Sequence, residues 1–182
     1  SRSVRQYLLG EPEPMTALMA WNADVTRLPY RMHAEYLRAL FLDNDLAQGR
    51  YRVDGRPVVI SDIRAPVFVV ATETDHVSPW RSVYKLHLPV DTAVTFLLPS
   101  GGHNAGIVSP PGHPRRHHRV TTHAEGQPYE DPDTWLATTA EQPGSWWPRW
   151  AAWLAERSGG RVAPPAADGG LAAAPGTYVF ER

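Results

Sequence analysis

Two residues of this sequence have the types and placement of an acid–base pair, Asp75 and His103. Asp75 lies in the polar tip Thr72-Glu73-Thr74-Asp75-His76, which follows the apolar run Val67-Phe68-Val69-Val70. His103 closes Pro99-Ser100-Gly101-Gly102-His103, which follows Val94-Thr95-Phe96-Leu97-Leu98. A carboxylate that orients an imidazole and stabilises its charged form lets the ring take and return a proton. In the α/β-hydrolase arrangement the members follow in the order nucleophile, acid, histidine. Gly101 and Gly102 would let the second loop turn sharply and present His103 inward. The competing reading is structural: Asp75 caps a helix beginning near Pro79, and His103 decorates a loop, since loops after strands carry such residues without catalysis. His76 directly follows Asp75 and should point the opposite way, so a structural hydrogen-bonding role behind the site is expected for it.

The nucleophile has no candidate. No G-x-S-x-G is present and the chain has no cysteine, which excludes disulfides, thiolate metal sites and a cysteine nucleophile within it. An acid–histidine pair alone catalyses little, so the chain by itself is expected to be inactive. It starts at Ser1 rather than at a methionine, which fits a piece of something longer. The run Arg115-Arg116-His117-His118-Arg119 could meet the phosphates of a bulky anionic substrate, or could be a solvated loop, as short charge runs usually are. His117-His118 lacks the spacing that closes a zinc site. No cofactor or metal is called for.

The elements that must position the pair can be read from the pattern. The apolar, β-branched run after Pro66 predicts a strand over 66–72, covered on both faces as in a parallel sheet. Ser78 and Pro79 predict an N-cap and first turn for a helix to about Leu88. A second strand over 93–99 follows. Strand, helix, strand makes a βαβ unit, with both polar loops at the carboxyl edge of the sheet, where open α/β sheets bind ligands. Upstream, a helix is expected from about Met15 and another over 32–42, where Tyr36 and Leu40, and Leu37 and Phe41, form apolar rows. Tyr51 to Ile60 predicts a hairpin turning at Asp54-Gly55. Residues 108–134 read as an extended surface excursion. Trp146, Trp150 and Trp153 then fall on one helical face, which is expected to pack on the sheet.

Composition sets the bounds. The apolar fraction of 42% calls for a buried core, and a formal charge of −1 argues against a general affinity for nucleic acid. No run approaches the length of a membrane span. Prolines and glycines cluster at 108–114 and 159–176, and the latter stretch reads as an Ala/Pro/Gly-rich connection.

Several motifs in order resemble the C-terminal part of class I poly(3-hydroxyalkanoate) synthases. They are Tyr7-Leu8-Leu9-Gly10-Glu11, Trp21-Asn22-Ala23-Asp24, Tyr36-Leu37-Arg38, Asp75-His76-Val77-Ser78-Pro79-Trp80, Ser100-Gly101-Gly102-His103-Asn104-Ala105-Gly106, Gly144-Ser145-Trp146-Trp147-Pro148 and Ala174-Pro175-Gly176 with Tyr178. The resemblance implies a cytoplasmic, granule-associated acyltransferase that polymerises (R)-3-hydroxyacyl-coenzyme A into polyester. It implies Asp75 as triad acid, His103 as general base, and a nucleophilic cysteine on an upstream elbow. It also implies a homodimer in the full-length enzyme, contact with the growing polyester and the granule surface, and no cofactor. Trp80, Asn104, Arg115 and Arg116 are the substrate-contact candidates; Asn104 stands where the family usually has isoleucine. The expected fold class is α/β, the C-terminal portion of an α/β-hydrolase fold with parallel strands 66–72 and 93–99 and flanking helices, plus the remnant of a helical cap. Residues 1–50 would be the latter part of that cap, 51–158 the core with the excursion 108–134, and 159–182 a tail. The rival readings are a fragment of another α/β-hydrolase, such as a thioesterase or polyester depolymerase, and a non-catalytic granule-binding module.

Overall fold

The computed structural model of the chain describes residues 4–12, 16, 17, 19, 21, 25, 27–166 and 170. Two units are distinguished, Ser1–Glu35 with Val162–Arg182, and Tyr36–Arg161; the sheet and every candidate site residue belong to the second. Helix α1 (Tyr30–Tyr36) is followed by a π-helical stretch, Leu37–Leu42. The chain leaves it at Asn44, whose φ of 52° is the left-handed conformation that ends helices. This matches the helix expected over 32–42, but its apolar rows are not buried: Tyr36, Leu37 and Phe41 are exposed. Of the helix expected from about Met15, the described residues Ala17, Met19 and Trp21 are helical, and most of the tail lies outside the described residues. Strands β1 (Arg52–Val53) and β2 (Arg56–Pro57) form the expected hairpin, and positive φ at both Asp54 and Gly55 is what a two-residue turn of this twist requires.

The main sheet has the order β3 (Val67–Val70), β4 (Val94–Pro99), β5 (His117–His123), β6 (Gln142–Pro143). β3 and β4 are parallel, pairing Val67 with Val94 and Val70 with Leu97. Between them run helix α2 (Trp80–Tyr84) and a 3₁₀ turn, Lys85–His87. That is the predicted strand–helix–strand unit. β4 is buried at every position because both of its faces are covered. On one face Val69, Val94, Phe96 and Leu98 pack with Trp80 and Tyr84 of α2 and with Trp135 of helix α3 (Pro132–Thr138). Phe96 and Trp135 meet edge to face at 5.0 Å, an aromatic geometry favoured by the ring quadrupoles. On the other face, Trp153 of helix α4 (Trp147–Ala155) meets Phe68 at 5.5 Å.

Four expectations need correction. The excursion over 108–134 contains β5, hydrogen-bonded antiparallel to β4 from Val94↔His123 to Pro99↔His118, so the sheet is mixed. Its histidines and arginine hid a strand whose polar side chains find partners on other segments: Thr95 and Thr122 hydroxyls share a hydrogen bond of 2.9 Å, and His118 Nδ1 lies 3.1 Å from the Gly144 carbonyl. The solvated-loop reading of 115–119 fails over 117–119, which lie in the sheet with His118 buried, while Arg115 is exposed. Ser78 does not cap α2; no side chain does. The tryptophan face of α4 packs through Trp146 and Trp153, while Trp150 stays at the surface beside Trp146.

Candidate active site

The backbone ladder between β3 and β4 continues past the strand ends. Glu73 N–H donates to the Pro99 carbonyl and Thr74 N–H to the Gly101 carbonyl, each at 3.1 Å. This zips the two polar loops together and carries Asp75 and His103 to one edge. There His103 Nδ1 lies 2.8 Å from Asp75 Oδ2. The other carboxylate oxygen, Oδ1, accepts the backbone N–H of Val77 and of Ser78, each at 2.8 Å. The carboxylate therefore organises the turn before α2 and binds the imidazole, without capping the helix as the structural reading expected.

The carboxylate is 8% exposed and the imidazole 46%. The Ser78 amide first, then the His103 and Val77 contacts, hold the Asp75 carboxyl down at about 2 against the opposing effect of burial. Asp75 is thus an anion at neutral pH, and Nδ1 of His103 is the nitrogen that donates to it. The tautomer that results places the acceptor lone pair on Nε2, the geometry a general base needs.

The loop that carries His103 is held from two further sides. Arg116 donates from NH1 to the Ser100 carbonyl at 3.2 Å and from NH2 to the Ala105 carbonyl at 2.6 Å. Trp146 Nε1 donates to the Gly106 carbonyl at 3.1 Å, and Trp147 Nε1 to the Ile107 carbonyl at 2.9 Å. The Ser145 hydroxyl donates to the Ser109 carbonyl. The sequence singled out Ser145-Trp146-Trp147-Pro148 as a motif without giving it this task.

The other candidates sort differently. Trp80 is buried in the aromatic core against Tyr84, Phe96 and Trp135, a packing role rather than a substrate contact. The Arg116 guanidinium is spent on loop carbonyls, while the Arg115 side chain is exposed. Asn104 anchors a turn, its carbonyl accepting from Ile107 and Val108. His76 is exposed and makes no hydrogen bond among the described residues, so the expected structural role is not found. Sequence reasoning missed a charge network behind the site. Arg119 reaches Glu73 at 3.2 Å and Glu141 at 3.1 Å, and His117 Nε2 lies 3.0 Å from Glu73. Glu73, His117 and Glu141 are close enough to share a cation. The Arg119 guanidinium already supplies their positive charge.

A mixed sheet flanked by helices on both faces, with a carboxylate-bound imidazole at the ends of its parallel strands, defines an α/β protein with a carboxylate–imidazole pair at the sheet edge. No family model matches the sequence. Curated relatives do. The poly(3-hydroxyalkanoate) polymerase subunit PhaC of Rhizobium etli is 40% identical over 98% of this chain and 28% of its own length. The poly(3-hydroxyalkanoate) polymerase of Methylorubrum extorquens is 38% identical over 97% of the chain and 29% of its own length. The PhaC subunit of Cupriavidus necator is 36% identical over 97% and 30%. The chain is homologous to the poly(3-hydroxyalkanoate) polymerases and matches a C-terminal portion of them, spanning less than a third of their length. Among the described residues no helix is long and apolar enough to cross a membrane.

Proposed function

We propose that this chain supplies the general base, His103, and its orienting acid, Asp75, to a poly(3-hydroxyalkanoate) polymerase whose nucleophilic cysteine lies outside these residues. The observation that carries this reading is the 2.8 Å contact between His103 Nδ1 and an Asp75 carboxylate that two backbone amides fix from the far side. β3 has a single neighbour in the sheet among the described residues, so the rest of an α/β-hydrolase core has an edge on which to continue. The segment without its nucleophile is inactive on this reading.

The chemistry follows from the pair. His103 Nε2 takes the proton of the cysteine thiol, and the thiolate attacks the thioester carbonyl of a (R)-3-hydroxyacyl-coenzyme A. Collapse of the tetrahedral adduct breaks the bond to the coenzyme A sulfur, which leaves with the proton held by the imidazole. The ring then takes the proton of a 3-hydroxyl as that oxygen attacks the acyl-enzyme, forming the new ester and releasing the cysteine. Asp75, an anion throughout, stabilises the imidazolium at both stages. The reading extends to cytoplasmic granules, where the product polyester collects, and to a homodimer of the whole enzyme.

In the polymerase that carries this segment, Asp75→Asn and His103→Ala are each expected to lower turnover by ~10³-fold or more, the scale of triad removal. Polymerisation within a few-fold of wild type in either variant refutes the assignment. Product analysis with (R)-3-hydroxybutyryl-coenzyme A separates this reading from a thioesterase, because it gives polymer where hydrolysis gives free acid.

A further inference from the structure

The loop from Ser100 to Ala105 makes a tight excursion to present His103, and its two stems carry carbonyls that the sheet ladder does not use. The Arg116 guanidinium, on the residue just before β5, bridges them: NH1 to Ser100 on the entering stem, NH2 to Ala105 on the leaving stem. Its placement is tight. A Cβ on Gly101 would come within 2.7 Å of Arg116 NH1 and 2.9 Å of Gly106 Cα, at a φ of 111° that side chains rarely adopt, so the guanidinium and the loop backbone close on a position only glycine fits. Arg116 is itself fixed through its main chain, whose carbonyl accepts from Gly144 N–H at 2.6 Å. Charge-assisted hydrogen bonds of a planar fork are directional as well as strong.

We propose that Arg116 is a positioning residue, clamping both stems of the His103 loop so that the imidazole is held against Asp75, rather than a phosphate contact for the substrate. The proposal rests on the acid–base role given to His103 above. Without the clamp the loop keeps its ends on β4 and at Trp146, but the ring between them is free to leave the carboxylate. Loss of alignment of that kind reduces the chemical step and leaves ground-state binding alone.

The test uses the full polymerase with (R)-3-hydroxybutyryl-coenzyme A as substrate. R116A is expected to lower kcat by roughly 10²-fold, the cost of a misplacement of about 1 Å, with KM within twofold of wild type. R116K keeps the charge but reaches one carbonyl, and should recover part of the loss. R116A added to H103A should change the residual rate by less than twofold, because the clamp acts only through the imidazole. The Nδ1–H proton of His103, followed by NMR with labelled histidine, should lose its hydrogen-bonded signature in R116A and keep it in R116K.

A raised KM with kcat unchanged would overturn the proposal in favour of a substrate contact. So would an R116A effect of equal size in the H103A background, or an unaltered Nδ1–H signal. Where R116A fails to fold, R116K takes its place in the kinetic comparisons, and a wild-type kcat in it sinks the clamp. Failure of the acid–base reading shows itself separately, as H103A retaining turnover.

Discussion

Around His103 the smallest side chains carry the tightest constraints. Gly106 is buried, and a Cβ there would lie 2.5 Å from Thr72 Cγ2, 2.8 Å from Thr72 Cβ and 2.9 Å from the Gly102 carbonyl. Thr72 stands on the loop that leads to Asp75, so this contact joins the two halves of the pair without any polar group. Neither neighbour is the far end of a flexible chain. Gly106→Ala must therefore move backbone, and overpacking of this kind costs about 1–3 kcal/mol. Urea denaturation should show that loss, together with reduced polymerase turnover. Gly159→Ala, where nothing lies within 4 Å and φ is unexceptional, should leave both unchanged. Equal behaviour of the two variants would remove the close-approach argument. Asp75 and His103 were legible because their chemistry shows in residue type. The need for glycine at 106 was not, because the atom it makes room for belongs to a residue distant in sequence.

At the scale of elements, the tryptophans do two jobs that their spacing alone did not separate. Trp153 and Phe68 seat α4 on the sheet, while Trp146 and Trp147, at its start, aim their indole N–H groups at the Gly106 and Ile107 carbonyls. Trp146 is buried and Trp147 is only partly so. Trp146→Phe keeps most of the ring and strands a buried carbonyl, a penalty of about 1–3 kcal/mol. Trp147→Phe should cost clearly less, since water can reach the vacated Ile107 carbonyl. Thermal denaturation of the two variants side by side checks the order, and a reversed order would mean that the indoles act by packing alone. The strand–helix–strand unit was legible because β3 and β4 are apolar apart from Thr95 and are separated by helix signals. β5 was not. A run of histidines and arginine reads as a solvated loop unless its partners are known, and those partners, Glu73, Glu141 and Gly144, are supplied by other segments. The mixed character of the sheet was hidden with it.

For the molecule as a whole, the titrating groups set a window of stability, and the sign of each contribution can be worked out. Burial lowers the affinity of His87 and His118 for a proton relative to the ordinary 6.5, against the opposing pull of the Tyr84 and Gly144 carbonyls that their rings meet. Below 6.5 the unfolded chain binds protons that the folded chain refuses, so stability falls as pH drops from that point. Asp75, held at about 2 against a usual 3.8, adds a second step: its contribution is intact above 3.8 and disappears as pH falls toward 2. Tyr84, pushed up to about 12 by burial and by the nearby Glu130, Tyr129 and Asp131, works from the alkaline side. Above 10 the unfolded chain releases a proton that the folded chain keeps, and stability falls again. The fold should thus be most stable between about 6.5 and 10, a range in which Asp75 is fully ionised. Urea midpoints measured across pH should form this plateau, with the acidic decline beginning near 6.5 rather than near 4. A double variant, His87→Gln with His118→Gln, should delay the decline until the carboxylates titrate. A decline that still begins near 6.5 in that variant would place its origin in other groups and leave the two buried imidazoles without the role assigned to them.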